Sequence, residues 1–211
     1  MNETQIEVKE EQKRNRFDYT IIVDTIPIGS KVLDLGCGIG TLLKSLKEKR
    51  GVEGRGIEIK QEKVKKCVER GLSVLHGDLD EGLKHYKSKS FDYVIFNETI
   101  QVVHNSLLVL KEALRVGKKV IVSFPNFGHW QVRLSFALSG KMPKSRALPY
   151  EWYNTPNIRE LTVKDFRVVC KKNNIHVIKE FSYVRKNGNG SLVRVASNFF
   201  ATNSLFVLEQ R

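Results

Sequence analysis

The stretch Asp34-Leu35-Gly36-Cys37-Gly38-Ile39-Gly40 sets three glycines at alternate positions directly behind an acid. A strand, a glycine-rich turn and a helix N-terminus together bring backbone N–H groups up to a ligand. Glycine is needed in such a turn because a Cβ would strike the ligand or the turn itself. The spacing is GxGxG with Thr41 next, not the GxGxxG of dinucleotide sites. Asp34 would repel a pyrophosphate, yet it suits a ligand with a cationic sulfonium and an α-amino group. The loop therefore favours S-adenosylmethionine (SAM), or its product S-adenosylhomocysteine (SAH), over NAD. Two further acids come in order. Glu58, with Ile59 beside it, closes an apolar run and can accept hydrogen bonds from both ribose hydroxyls. Asp78 can accept from the adenine amine while Leu79 packs on the ring. The expected cofactor contacts are thus Asp34, Gly36, Cys37, Gly38, Gly40, Glu58, Ile59, Asp78, Leu79 and Asn97.

Chemistry on a second substrate is marked less clearly. Asn97, Gln101 and His129 are the candidates for catalysis, and Asn126 could line an acceptor pocket with Asn97. A histidine titrates near neutral pH and can act as a general base. A lone histidine beside a tryptophan, as His129 is beside Trp130, more often hydrogen-bonds for structure. Cys37, Cys67 and Cys170 are widely spaced. They offer neither a disulfide framework nor a CxxC metal pair, so they read as small buried fillers and no metal site is expected.

The elements that must hold these residues alternate along the chain. Phe17 to Ile26 reads as a helix, Lys31 to Leu35 as a strand, and Thr41 to Lys49 as a helix. Strands follow at Gly54 to Ile59, Ser73 to His76, Phe91 to Phe96 and Lys118 to Phe124, with helices at Lys60 to Arg70 and around Leu107 to Leu114. Thr162 to Asn173 starts like a capping box, with Asp165 three residues after Thr162. Asn174 to Tyr183 and Ser204 to Glu209 supply the last two strands, separated by a turn at Asn187-Gly188-Asn189-Gly190. The alternation predicts an α/β, Rossmann-like fold: a seven-stranded, mostly parallel sheet with helices on both faces. Residues 125–162 break the rhythm with four prolines, both tryptophans and a helix near His129 to Leu138. They form an insertion after the fifth strand, placed to cover the ligand edge of the sheet or to meet a partner.

Composition narrows the class. The 211 residues suit one domain, here 17–211, and a polar stretch at 1–16 reads as a flexible leader. With 41% hydrophobic residues the chain is an ordinary folded protein. No apolar run is long enough to cross a bilayer, and the first residues lack the apolar core of a secretory signal, so a cytoplasmic protein with no membrane partner is expected. The net charge is +13. Its excess is spread over Lys44 to Arg70 and over the C-terminal part, without interleaved aromatics, which argues for a solvated basic surface rather than nucleic acid.

Acids at Asp34, Glu58 and Asp78, in this order and each after a strand, resemble the class I SAM-dependent methyltransferase superfamily over nearly the whole chain. Two features bear on the branch, the first setting one aside and the second weakening another. The turn Asn97-Glu98-Thr99 is not the N/D-P-P-Y of amino-methylating enzymes, and Val102 stands where many small-molecule enzymes carry a histidine. Longer strings decide the branch: Ser123-Phe124-Pro125-Asn126-Phe127-Gly128-His129-Trp130, Gly140-Lys141-Met142-Pro143, and Leu148-Pro149-Tyr150-Glu151-Trp152-Tyr153-Asn154-Thr155-Pro156-Asn157-Ile158. With Gly77 to Leu83 and Thr99-Ile100-Gln101, these resemble the methionine biosynthesis protein MetW family. Arg159 departs from the histidine common there, so no role is placed on it.

The resemblance implies a SAM-binding protein that acts with, or regulates, homoserine O-acyltransferase of the MetX type. It does not supply a methyl acceptor. A methyltransferase acting on a small molecule is the alternative, and an RNA methyltransferase is suggested by charge alone.

Overall fold

The computed structural model describes residues 16–145, 147–186 and 189–210. The expected leader, up to residue 15, lies outside them. The elements are α1 (Arg16–Thr25), β1 (Lys31–Leu35), α2 (Thr41–Arg50), β2 (Glu53–Glu58), α3 (Gln61–Glu69), β3 (Ser73–His76) and β4 (Phe91–Asn97). They continue as α4 (Ser106–Val116), β5 (Gly117–Pro125), α5 (Trp130–Ser139), α6 (Val163–Lys172), β6 (Ile175–Lys186), β7 (Asn189–Leu192), α7 (Ser197–Phe200) and β8 (Asn203–Gln210).

One sheet has the order β3-β2-β1-β4-β5-β8-β6-β7. β1 to β5 are parallel, while β8 runs antiparallel to both β5 and β6. The sheet has eight strands, not seven. The extra one is β7, which pairs antiparallel with β6 from Tyr183↔Leu192 to Lys186↔Asn189. Its sequence, Asn189-Gly190-Ser191-Leu192, lacks the alternating apolar pattern and β-branched residues that mark a strand. Backbone pairing with an unusually long β6 makes it a strand. Gly190 also lets α1 lie close, since a Cβ there would sit 2.3 Å from the Phe17 ring.

Central strands are apolar at successive positions because both faces of the sheet are covered. Leu33, Val94, Val122 and Phe206 face α4 and α6, packing with Leu110, Leu114 and Phe166. Their neighbours Val32, Ile95, Ile121 and Val207 point the other way, against Ile22 of α1 and Leu46 of α2. That is the period-two alternation of a strand buried on both sides. The capping box of α6 is complete: Thr162 accepts from the Asp165 N–H, and the Asp165 carboxylate accepts from the Thr162 N–H.

β1 lies between β2 and β4. The chain winds outward through β2 and β3, then returns to the other side of β1. Ligands of such sheets sit where this reversal opens a crevice, at the carboxyl ends of the strands.

Candidate functional site

The crevice is a cleft of about 560 Å³, within the usual range for small-molecule sites. Its floor is the glycine loop. Gly36, Gly38 and Gly40 have φ of +73°, +58° and +75°, the left-handed region open to glycine. Gly36 is also needed for space, because a Cβ there would meet the Thr99 side chain at 2.6 Å. The loops after β1 and β4 can therefore touch.

Glu58 organises the cleft. Its Oε2 accepts from the Gly38 N–H and its Oε1 from the Lys60 N–H, each at 2.9 Å. Its backbone carbonyl accepts from the Gly77 N–H at 3.1 Å. One buried glutamate thus ties the glycine loop to the end of β2 through its carboxylate and to the end of β3 through its carbonyl, with lone pairs left for a ligand. Asp78 caps a 3-10 turn, Leu79–Glu81, by accepting from the Asp80 N–H. Asp80, in turn, accepts from the His104 and Asn105 N–H groups at 3.0 and 2.7 Å, joining that turn to the loop after β4.

The cleft gathers Gly36, Gly38, Glu58, Ile59, Asp78, Leu79 and Asn97. Asp34, Cys37 and Gly40 lie behind it. Asp34 is 2% exposed in β1. Cys37 turns back toward β2, so that a Cβ on Gly56 would lie 2.5 Å from its sulfur. Its thiol pKa is raised by hydrogen bonding to Cys67, burial and the nearby Asp34. A Cβ on Gly40 would meet Leu72 at 2.3 Å. Lys60, Lys63, Thr99, His104, Tyr150 and Pro156 also line the cleft and were not read from the sequence. Tyr150 and Pro156 carried a signal, since they belong to the insertion expected to cover this edge.

The residues fit a SAM-like nucleoside. Ile59 is 57% exposed over the cleft, an apolar face that an adenine ring would cover, and Leu79 offers a second. Glu58 and Asp78 set two carboxylates on the same cleft.

The three candidates for catalysis do not converge. Asn97 lines the cleft, with its Oδ1 accepting from Ser123 Oγ at 2.8 Å. Gln101 lies in a smaller adjoining cavity and fixes the insertion, its backbone carbonyl accepting from the Ile158 and Arg159 N–H groups. His129 caps α5 by accepting from the Gln131 N–H. It faces a separate cavity of about 690 Å³, and burial lowers its pKa. Asn126 spends its amide on structure: it donates to Asn198 and Ala201 carbonyls and accepts from Gly128 and Val163.

A buried charged cluster closes the inner end of the site. Arg185 Nη1 donates to Glu98 Oε1 at 2.7 Å and to Asp18 Oδ2 at 3.1 Å. Asn203 Nδ2 donates to the same Glu98 oxygen at 3.2 Å. Asp18 is fully buried. Glu98 adopts φ +54°, uncommon for a side-chain-bearing residue and typical of strain held at a site.

Comparison with known proteins settles the lineage. The family described as methionine biosynthesis protein MetW matches residues 16–208. The chain belongs to the MetW family. A curated relative, the bifunctional methionine biosynthesis protein MetXA/MetW of Rhodopirellula baltica, is 38% identical over 172 residues, which is 77% of this chain and 28% of that protein. Phosphoethanolamine N-methyltransferase 1 of Arabidopsis thaliana is 32% identical over 102 residues, 45% of this chain and 21% of that one. The chain therefore spans less than a third of either relative. Among solved structures, a SAM-dependent methyltransferase of Thermotoga maritima superposes with TM-score 0.69 at 18% identity, covering 97% of this chain and 95% of that one. One from Archaeoglobus fulgidus gives 0.64 at 14%, covering 93% and 97%. The MetW chain thus has the class I methyltransferase fold. No helix among the described residues is long and apolar enough to cross a membrane.

Proposed function

We propose that this MetW-family chain, a protein of methionine biosynthesis, binds SAM or SAH in the cleft built on Glu58 and acts as partner and regulator of a MetX-type homoserine O-acyltransferase. The observation that carries the partnership is the Rhodopirellula relative, whose name joins MetXA and MetW in one polypeptide. An association made covalently in one protein supports the same association between separate chains. The structure offers a surface for it. Helix α5 buries only Val132 and exposes Leu134, Phe136 and Leu138. Leu134 and Leu138, four residues apart, share one side of the helix, and a bare apolar face of this kind marks an interaction site.

Gly36, Gly38, Glu58, Asp78 and the apolar Ile59 and Leu79 would hold the cofactor. When bound, it would supply either a transferable methyl group or a signal. The signal reading has a physical logic. SAM is made from methionine, so a SAM-binding partner reports the level of an end product to an early step. Such coupling requires the two ligands to alter each other's affinity. In this reading the protein works in the cytoplasm, where its three free cysteines stay reduced.

Co-elution with the acyltransferase, and acylation rates with and without this protein, test the partnership. No complex and no change in rate would sink it. SAM affinity that is equal with and without the acyltransferase would remove the regulatory part. A second reading, methyl transfer to a small acceptor, is favoured by the cavity that adjoins the cleft at Glu98. Release of SAH from SAM with a defined acceptor would establish it.

A further inference from the structure

Beside the cofactor cleft lies a cavity of about 120 Å³. Glu98, Val102, Tyr150 and Pro156 line both spaces, so the small cavity opens off the cleft. Gln101 also lines it and is 4% exposed. The Gln101 Nε2 donates to the Glu98 carbonyl at 2.8 Å, which fixes the two ends of the amide. The other end, Oε1, is buried and accepts no hydrogen bond among the described residues. Buried acceptors are almost always satisfied, and one that is not calls for an explanation.

Glu98 points to the same explanation. Its Oε1 takes Arg185 and Asn203, while no hydrogen bond reaches its Oε2 among the described residues. Arg185 answers two carboxylates at once, Asp18 and Glu98. Asp18 keeps its proton below about pH 7, so above that pH Arg185 faces two negative charges and the cluster is short of a cation. Both open positions are acceptors, Gln101 Oε1 buried and Glu98 Oε2 on a side chain 22% exposed. The ligand they call for is a donor, and a charged one. Apolar walls from Val102, Pro125 and Pro149 suit a short alkyl chain behind it.

We propose that this cavity binds a small ligand through a protonated primary amine, whose N–H groups donate to Gln101 Oε1 and Glu98 Oε2. An ammonium brings three donors on one atom, whereas a water or a hydroxyl would leave the charge unmet. The site depends neither on the acyltransferase partnership nor on SAM.

The test uses the full chain and ethylammonium chloride, followed by 1H–15N spectra. The Gln101 side-chain amide signal is identified by its absence in Gln101→Met. Ethylammonium should move that signal saturably, while ethanol and tetramethylammonium, which lack either the charge or the N–H donors, should not. Gln101→Met should keep a folded spectrum and bind ethylammonium at least about tenfold more weakly. Glu98→Gln, which keeps the shape and removes the charge, should weaken it as well. A signal unmoved by ethylammonium overturns the proposal. So does an equal response to ethanol, which would leave only a water site, or unchanged affinity in both variants.

Discussion

Glu58 holds two backbone N–H groups with one carboxylate, so any change to it acts on ligand and loop together. Glu58→Gln keeps the size but replaces one acceptor by a donor facing Gly38 or Lys60. SAH binding, measured by titration calorimetry, should weaken by about ten- to a hundredfold. Cys37→Ala, behind the loop, should leave it unchanged. Asp18 acts through the proton. Burial, with Glu98 next and Arg185 opposing, pushes its carboxyl from 3.8 up to about 7. The folded chain therefore keeps a proton that the unfolded chain releases, and stability falls with rising pH wherever the native state binds more protons. That contribution is full below pH 3.8 and is lost as the pH climbs through about 7. Asp18→Asn should flatten the decline, so that wild type loses on the order of 3 kcal/mol relative to the variant between acid and mildly alkaline pH. Urea unfolding at several pH values measures this, and parallel curves would refute it. That Glu58 and Asp78 line the cleft was legible from sequence, because Glu58 closes β2 and Asp78 follows β3 by two residues. The Asp18–Arg185 pair was not, since 167 residues separate its members and nothing local marks either one.

Helix α5 shows how an element can be readable in position and opaque in purpose. Its start at His129 and its end at Gly140, with φ +63°, follow from local capping chemistry, so the expected span nearly coincides with the observed one. The face it leaves bare was not readable. Leu134 and Leu138 look like core residues in the sequence, yet they are 48% and 79% exposed. Leu138→Glu should change folding stability by no more than about 0.5 kcal/mol. It should also abolish any effect of this protein on acyltransferase rate if the face is the contact. A large drop in melting temperature would show instead that Leu138 packs within the fold. β7 is the opposite case: an element invisible in its own residues, created by the strand beside it.

At the level of the whole molecule, the cleft draws on the ends of β1, β2, β3 and β4 at once, so a ligand seated there stabilises most of the sheet. SAH at a hundred times its dissociation constant should raise the unfolding free energy by about 2.7 kcal/mol. At the same SAH concentration the matching rise in melting temperature should shrink to about half or less in Glu58→Gln. An equal rise in that variant would place the ligand elsewhere. The sheet also carries a consequence for synthesis. β8 is wedged between β5 and β6, although it is made after both. Until it emerges from the ribosome, β5 and β6 each present a bare, apolar edge of the kind that recruits other chains. The gap closes only when this late strand arrives. A nascent chain stalled just short of Asn203 should therefore be a favoured client of chaperones that cover strand edges, and the same chain carried past Gln210 should not.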